Sequence, residues 1–336
     1  MSSTFKMSFS ILFAAVLIIG LSACQSNETT QKTEKIRVAE VTRSVFYAPQ
    51  YVALAKGFFK KEGLDVQLKT TWGGDKTMTA LLSGGTDIGL VGSETSIYVY
   101  TRGSKNPVIN FAQLTQTDGT FLISRKKIDH FTWSQLKDSR FLGQRKGGMP
   151  QMVGEYVLKK NGIDPHKDLH LIQNIDYANI PNAFASGTGD FVQLFEPQAS
   201  IFEKEGKGYI VASFGKESGH VPYTSYMATK SYMESHQSAV SKFTRAIYQA
   251  QQWVADHNSK EIAQVIHPYF KDTDTDMLAK AIDRYKNQGT YATDPILDPK
   301  EWNHLQSIMK EAGELPKQVD YKTLVNTSFA EKAIKD

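Results

Sequence analysis

The sequence predicts an α/β fold built from two successive units and a helical C-terminal tail. Three observations carry this expectation. Short β-branched or alternating runs are separated by stretches of helical length, the pattern of strands joined by helices. The series starts once at Ile36 and again near Phe121. Beyond Pro222 a last strand signal leads into a tail dominated by apolar residues at helical spacing.

The elements follow in order. Ile36-Arg37-Val38-Ala39-Glu40-Val41 alternates and is β-branched, so it reads as a strand. Pro49 suits the first turn of the next helix, which Gly57 can end in a left-handed conformation. Residues 64–69 form the second strand. A short helix from Asp75 to Ser83 closes at Gly84-Gly85, and residues 87–91 make a buried third strand. Ser93 is expected to cap the following helix, and residues 108–112 give a fourth strand. The second series places strands at 120–124, 140–143, 169–172, 191–195 and 209–212, with a helix from Pro150 to Lys160. A strand at 225–228 leads to helices near 237–257, 259–267, 274–289 and 298–312; Phe243, Ile247, Ala250 and Val254 mark the buried face of the first. The alternation of the first series, 36–112, implies parallel strands with right-handed crossovers.

Composition narrows the function. The 336 residues carry 39 basic and 35 acidic side chains, too balanced for a nucleic-acid binder with a basic stripe. The single cysteine excludes an internal disulfide framework, a cysteine zinc site and an iron–sulfur cluster. No cofactor or catalytic residue is expected. His166 and His170 have metal-like spacing, but a strand intervenes and both read as solvated. Asp272-Thr273-Asp274-Thr275-Asp276 starts like a calcium loop, yet Met277 stands where glycine is needed, so a helix cap is expected.

Residues 1–23 read as a signal peptide: Lys6, an apolar run from Met7 to Gly20, then Leu21-Ser22-Ala23-Cys24. The run is short for a membrane anchor, the alternative. Its end resembles the lipobox of bacterial lipoproteins, which implies cleavage before Cys24 and lipidation there (palmitate included), placing the body on the extracytoplasmic face of the cell membrane. Residues 24–35 are polar and aperiodic, a flexible tether.

The segment from Phe46-Tyr47-Ala48-Pro49 through Gly57-Phe58-Phe59-Lys60-Lys61-Glu62-Gly63-Leu64 resembles the opening of type II periplasmic solute-binding proteins. The match is to the nitrate/sulfonate/taurine and thiamine-pyrimidine-precursor family. Gly73-Gly74-Asp75 and Leu82-Ser83-Gly84-Gly85-Thr86-Asp87-Ile88-Gly89 corroborate it. The resemblance implies two lobes, 36–122 plus 222–336 and 123–221, closing on a small-molecule ligand for an ABC permease and ATPase. It implies solute transport by a substrate-binding protein that acts as a monomer. A pyrimidine-synthase-like enzyme of the same fold and a ligand-sensing lipoprotein are the alternatives.

Ligands of parallel α/β sheets sit beyond the strands' carboxyl ends, beside helix N-termini. The expected site is therefore Phe46, Tyr47, Trp72, Gly73, Gly74, Asp75, Ser93, Glu94, Thr95, Gly148, Met149, Glu196 and Tyr223. Helix starts at Asp75, Ser93 and Met149 offer free N–H groups for an anion. The glycines would admit close backbone approach or simply serve turns. The aromatics would stack on a flat ligand or fill core, and Asp75 and Glu94 would meet ligand or cap helices. Three carboxylates around a pocket favour an amino heterocycle such as a pyrimidine over a bare anion; an organosulfonate is the rival.

Overall fold

The computed structural model describes residues 33–336. The expected signal peptide, Cys24 and most of the tether lie outside the described residues. Among the described residues, no helix is long and apolar enough to cross a membrane.

The chain begins with β1 (Glu34–Glu40), α1 (Ala48–Ala55), α2 (Phe58–Lys61), β2 (Leu64–Thr70), α3 (Gly74–Leu82), β3 (Ile88–Gly92), α4 (Glu94–Thr101) and β4 (Val108–Thr115). It continues through β5 (Thr120–Ser124), β6 (Arg140–Leu142), α5 (Met149–Lys160), β7 (His170–Ile172), α6 (Ile180–Ala185), β8 (Phe191–Phe195), α7 (Gln198–Lys204), β9 (Tyr209–Ser213) and α8 (Phe214–Ser218). It returns as β10 (Thr224–Thr229), followed by α9 (Lys230–Ser235), α10 (Gln237–Asp256), α11 (Ser259–Ile266), α12 (Thr275–Gln288), α13 (Pro299–Glu311), α14 (Tyr321–Leu324) and α15 (Ser328–Lys335).

These strands form two five-stranded sheets, ordered β2-β1-β3-β10-β4 and β7-β6-β8-β5-β9. Both are mixed: the four strands of the first series run parallel to one another, as their alternation with helices predicts, and each sheet holds one strand of opposite direction. β10 runs antiparallel to β3 and β4, and β5 antiparallel to β8 and β9. The cause is topological. A strand that enters a sheet from the edge where its neighbours end must run away from that edge, and β5 and β10 are the strands that arrive from the other sheet. The two crossings are tied together: Val221 N–H donates to Gln116 O at 3.0 Å and Tyr223 N–H to Thr115 O at 3.1 Å.

Helices cover the sheets through apolar faces. The buried side of α10 includes Val240, Phe243, Ile247, Ala250 and Val254, at the expected helical spacing. Asp274 caps α12 by accepting from Met277 N–H at 2.8 Å, the role expected of it. Ser93 makes no side-chain cap on α4. It is buried instead with its hydroxyl 3.0 Å from that of Ser225 on β10, because the adjacent strand supplies a partner. His166 is half-exposed, but its Nε2 lies 3.2 Å from the buried carboxyl of Glu155. Helices α14 and α15 lie beyond the tail that the sequence pattern marks out.

Candidate functional site

A cavity of about 580 Å³ opens between the two sheets. The first sheet contributes Val41 and Thr42 after β1, the 72–75 turn after β2, and Gly92, Glu94, Thr95 and Tyr98 at β3–α4. The second contributes residues 144–150 after β6, 176–179 after β7 and Phe195 at the end of β8. Tyr47, Tyr223 and Glu314 complete the wall. All the strand-end segments lie at carboxyl ends, where the backbone turns into a helix or loop and leaves polar groups free.

Of the thirteen expected site residues, ten line this cavity: Tyr47, Trp72, Gly73, Gly74, Asp75, Glu94, Thr95, Gly148, Met149 and Tyr223. Phe46, Ser93 and Glu196 do not, and each has a reason. Phe46 sits behind the wall, fully buried, with its ring 5.3–5.4 Å from those of Tyr47, Phe195, Tyr223 and Tyr285. Ser93 turns towards β10. Glu196 is consumed by local and distant donors. Ser200 gives it an amide at 2.9 Å and a hydroxyl at 2.8 Å, and Arg284 on α12 forms an ion pair with it. The sequence shows the strand end but not the arginine 88 residues away.

Trp72 is half-exposed at the cavity rim with φ +59°. A bulky residue rarely adopts this left-handed conformation, which crowds Cβ against the following carbonyl. Gly73 follows at φ +156°, where an added Cβ would lie 2.7 Å from Asp75 Oδ1. The tight turn thus holds the indole over the opening and Asp75 at the first turn of α3.

The charged groups divide into matched and unmatched. Arg145, from the second sheet, spans the cleft to Asp75 at 2.8 Å and also approaches Asp176 at 3.6 Å. Partial burial works against ionisation of Asp75, but the Arg145 guanidinium and the α3 backbone hold its carboxyl below the ordinary value. Lys146 lies 3.6 Å from Glu314. Lys76 and Arg102 stand exposed among the lining residues.

Glu94 is different. It is only 3% exposed, and its Oε2 has no hydrogen-bond partner. Burial pushes its carboxyl up to about 8, against the opposing pull of its own backbone N–H and that of Met149 at the start of α5. The carboxyl folds back over Gly92, where an added Cβ would meet Oε2 at 2.1 Å. The buried Glu40 shows the contrast: Gln50, Tyr51 and Thr70 donate to it at 2.7–2.8 Å. The Tyr223 hydroxyl is likewise buried without a partner of ordinary hydrogen-bond geometry, as is Oδ2 of nearby Asp118. Burial raises Asp118 to about 6, opposed by the Thr120 hydroxyl and amide and by the Tyr223 hydroxyl.

Tyr98, Tyr177, Arg145 and Glu314 were absent from the expected set. Tyr98 lies four residues after Glu94 on one helix face, and Tyr177 follows β7 at its carboxyl end; both signals were available in the sequence. Arg145 falls in a loop that the strand-end rule marks, but nothing local singles out its side chain. Glu314 follows a tail helix and carries no such signal. Buried polar atoms without partners, an aromatic wall and a closed pair of ionic contacts suit reversible capture of a small molecule.

The sequence profile of the NMT1-like family matches residues 30–267. YtlA of Bacillus subtilis (strain 168), named as a candidate binding protein, is 61% identical over 332 residues, covering 99% of this chain and 98% of YtlA. Two of the solved structures that share the fold are binding proteins. The alkanesulfonate-binding protein SsuA from Xanthomonas axonopodis pv. citri, bound to MOPS, has a TM-score of 0.73 at 16% identity, covering 88% of this chain and 99% of SsuA. The periplasmic nitrate-binding protein NrtA from Synechocystis PCC 6803 has a TM-score of 0.69 at 19% identity, covering 90% and 89%.

Proposed function

Because the chain belongs to the NMT1-like family, we propose that it is a solute-binding protein that captures a small organic solute and delivers it to an ABC importer. In this role it works outside the cytoplasm, held to the membrane by lipid on Cys24. One observation carries the proposal: the cavity of about 580 Å³ draws its walls from the strand ends of both sheets. A solute there touches both halves at once, so binding and closure are the same event. Residues 36–122 with 222–336 act as one lobe and 123–221 as the other, with the paired crossings as hinge.

The wall favours a flat or aromatic solute that carries N–H groups. Tyr47, Trp72, Tyr98, Tyr177, Phe195 and Tyr223 offer ring faces, and Asp75 and Glu94 offer acceptors. An amino heterocycle such as a pyrimidine meets both requirements.

A thermal-shift screen of pyrimidines, thiamine precursors, taurine, alkanesulfonates and nitrate tests the proposal. A solute present at about 100 times its Kd adds roughly 2.7 kcal/mol to stability, a readily measured shift. An amino heterocycle is the expected hit; turnover of any compound, or no hit from any class, contradicts the proposal. Cys24→Ser should move the protein from membrane to soluble fraction, and persistent membrane association would remove the lipid anchor from it.

A further inference from the structure

The helix N-termini around the cleft are natural seats for an oxyanion, because their N–H groups and dipoles point at the ligand. In this protein the seats are taken. Asp75 stands in the first turn of α3 and holds Arg145 across the opening. The Glu94 carboxyl lies against its own amide in α4 and faces the Met149 amide that opens α5, so one side chain occupies two helix starts from opposite sheets. An oxyanion entering here would meet the Asp75 and Glu94 carboxyls at these helix starts. Three polar atoms of the wall are buried without a hydrogen-bond partner, Glu94 Oε2, the Tyr223 hydroxyl and Glu314 Oε1; Tyr223 faces Asp118 and Glu314 faces Lys146, which leaves Glu94 Oε2 as the unmatched acceptor. Once ionised, that carboxyl is an acceptor only, and it then recognises a donor. Arg145 and Lys146 already have acidic partners, and the other lining cations, Lys76 and Arg102, stand exposed.

We infer that Glu94 is the specificity-determining anchor of the cleft, pairing with a cationic or N–H-rich head group (an amine or amidine) on an aromatic or apolar body and excluding oxyanions. The inference rests on the solute-binding proposal and sharpens its ligand class. A protonated head group that pairs with Glu94 keeps its charge by taking the carboxylate form of the side chain as partner. The proton Glu94 carries then leaves to solvent, so charge balances in the complex. Tyr223 donates to or accepts from the same head, and the rings of Trp72 and Tyr177 cover the body.

Isothermal titration of the full chain against two sets of probes tests this. Benzamidine, phenethylamine and 4-aminopyridine supply N–H heads; methanesulfonate, MOPS, nitrate and bicarbonate supply oxyanions. Saturable binding of at least one N–H probe and of no oxyanion is expected. Loss of a charge-assisted hydrogen bond should raise that probe's Kd roughly tenfold to a hundredfold in Glu94→Gln. Tyr223→Phe should weaken the same probe by a smaller factor, and it serves if the first variant folds poorly. Oxyanion binding by the wild type, or an N–H probe that binds both variants unchanged, overturns the inference while leaving solute binding intact. Absence of binding by every probe and by every solute of the wider screen overturns the solute-binding proposal itself.

Discussion

Glu94→Gln changes almost nothing in shape and removes one titration, so it isolates the electrostatic state of the cleft. Burial pushes the native carboxyl from 4.5 up to about 8. The native state therefore holds this proton more tightly than the unfolded chain. Its contribution to stability is complete below the unfolded value near 4.5 and is lost as pH climbs through about 8. At about 1.4 kcal/mol per pH unit, the wild type should lose on the order of 3 kcal/mol relative to Glu94→Gln between pH 6 and pH 9. The groups facing Glu94 are Tyr47, Tyr98 and Tyr223, which burial keeps neutral across this range, and the Met149 amide, which does not titrate. Urea denaturation of both unliganded proteins at half-unit pH steps measures the difference directly. Groups that titrate elsewhere, Asp118 among them, shift both curves equally and cancel. Parallel curves for the two proteins would refute the claim that Glu94 is buried without a compensating partner.

Three other substitutions probe the walls and the hinge. Trp72→Gly should leave the unliganded protein as stable or up to about 1–2 kcal/mol more so, because glycine adopts the left-handed conformation freely. The same change should weaken solute binding, and a clear loss of stability would show that the indole serves as core. Glu196→Ala should cost about 1–2 kcal/mol in chemical denaturation, since it removes the acceptor of two Ser200 hydrogen bonds and one of the two carboxylates that hold Arg284, which keeps Glu203 at 3.2 Å; an unchanged midpoint would return Glu196 to the ligand wall. Arg145→Ala removes a half-exposed ion pair and should change stability by less than about 1 kcal/mol. It should nevertheless enlarge the unliganded radius of gyration in small-angle scattering, and an identical radius would dispose of Arg145 as a cross-cleft latch.

What the sequence revealed followed local rules. Alternation and helical spacing located the strands and the main helices because both depend on neighbours a few residues apart. The strand-end rule brought Tyr47, Trp72, Glu94 and Met149 to one cavity for the same reason. The direction of β5 and β10 was not legible: both have ordinary β-branched or apolar patterns, and only the path between sheets makes them antiparallel. Glu196 looked like a ligand group because its two consumers are invisible locally, Ser200 by its turn and Arg284 by distance. Ser93 has a cap residue's identity, but a serine on β10 competes for its hydroxyl. Glu94 read as either cap or ligand group, and only its unpartnered oxygen distinguishes the two.

The central claim is that one small molecule is held by both sheets at once. Amide hydrogen exchange with and without the first solute that stabilises the protein measures this most directly. Slower exchange should appear together at Glu94–Thr95 on one side and at Gly148, Met149 and Tyr177 on the other. Protection confined to one sheet, or lying away from these strand ends, would contradict it.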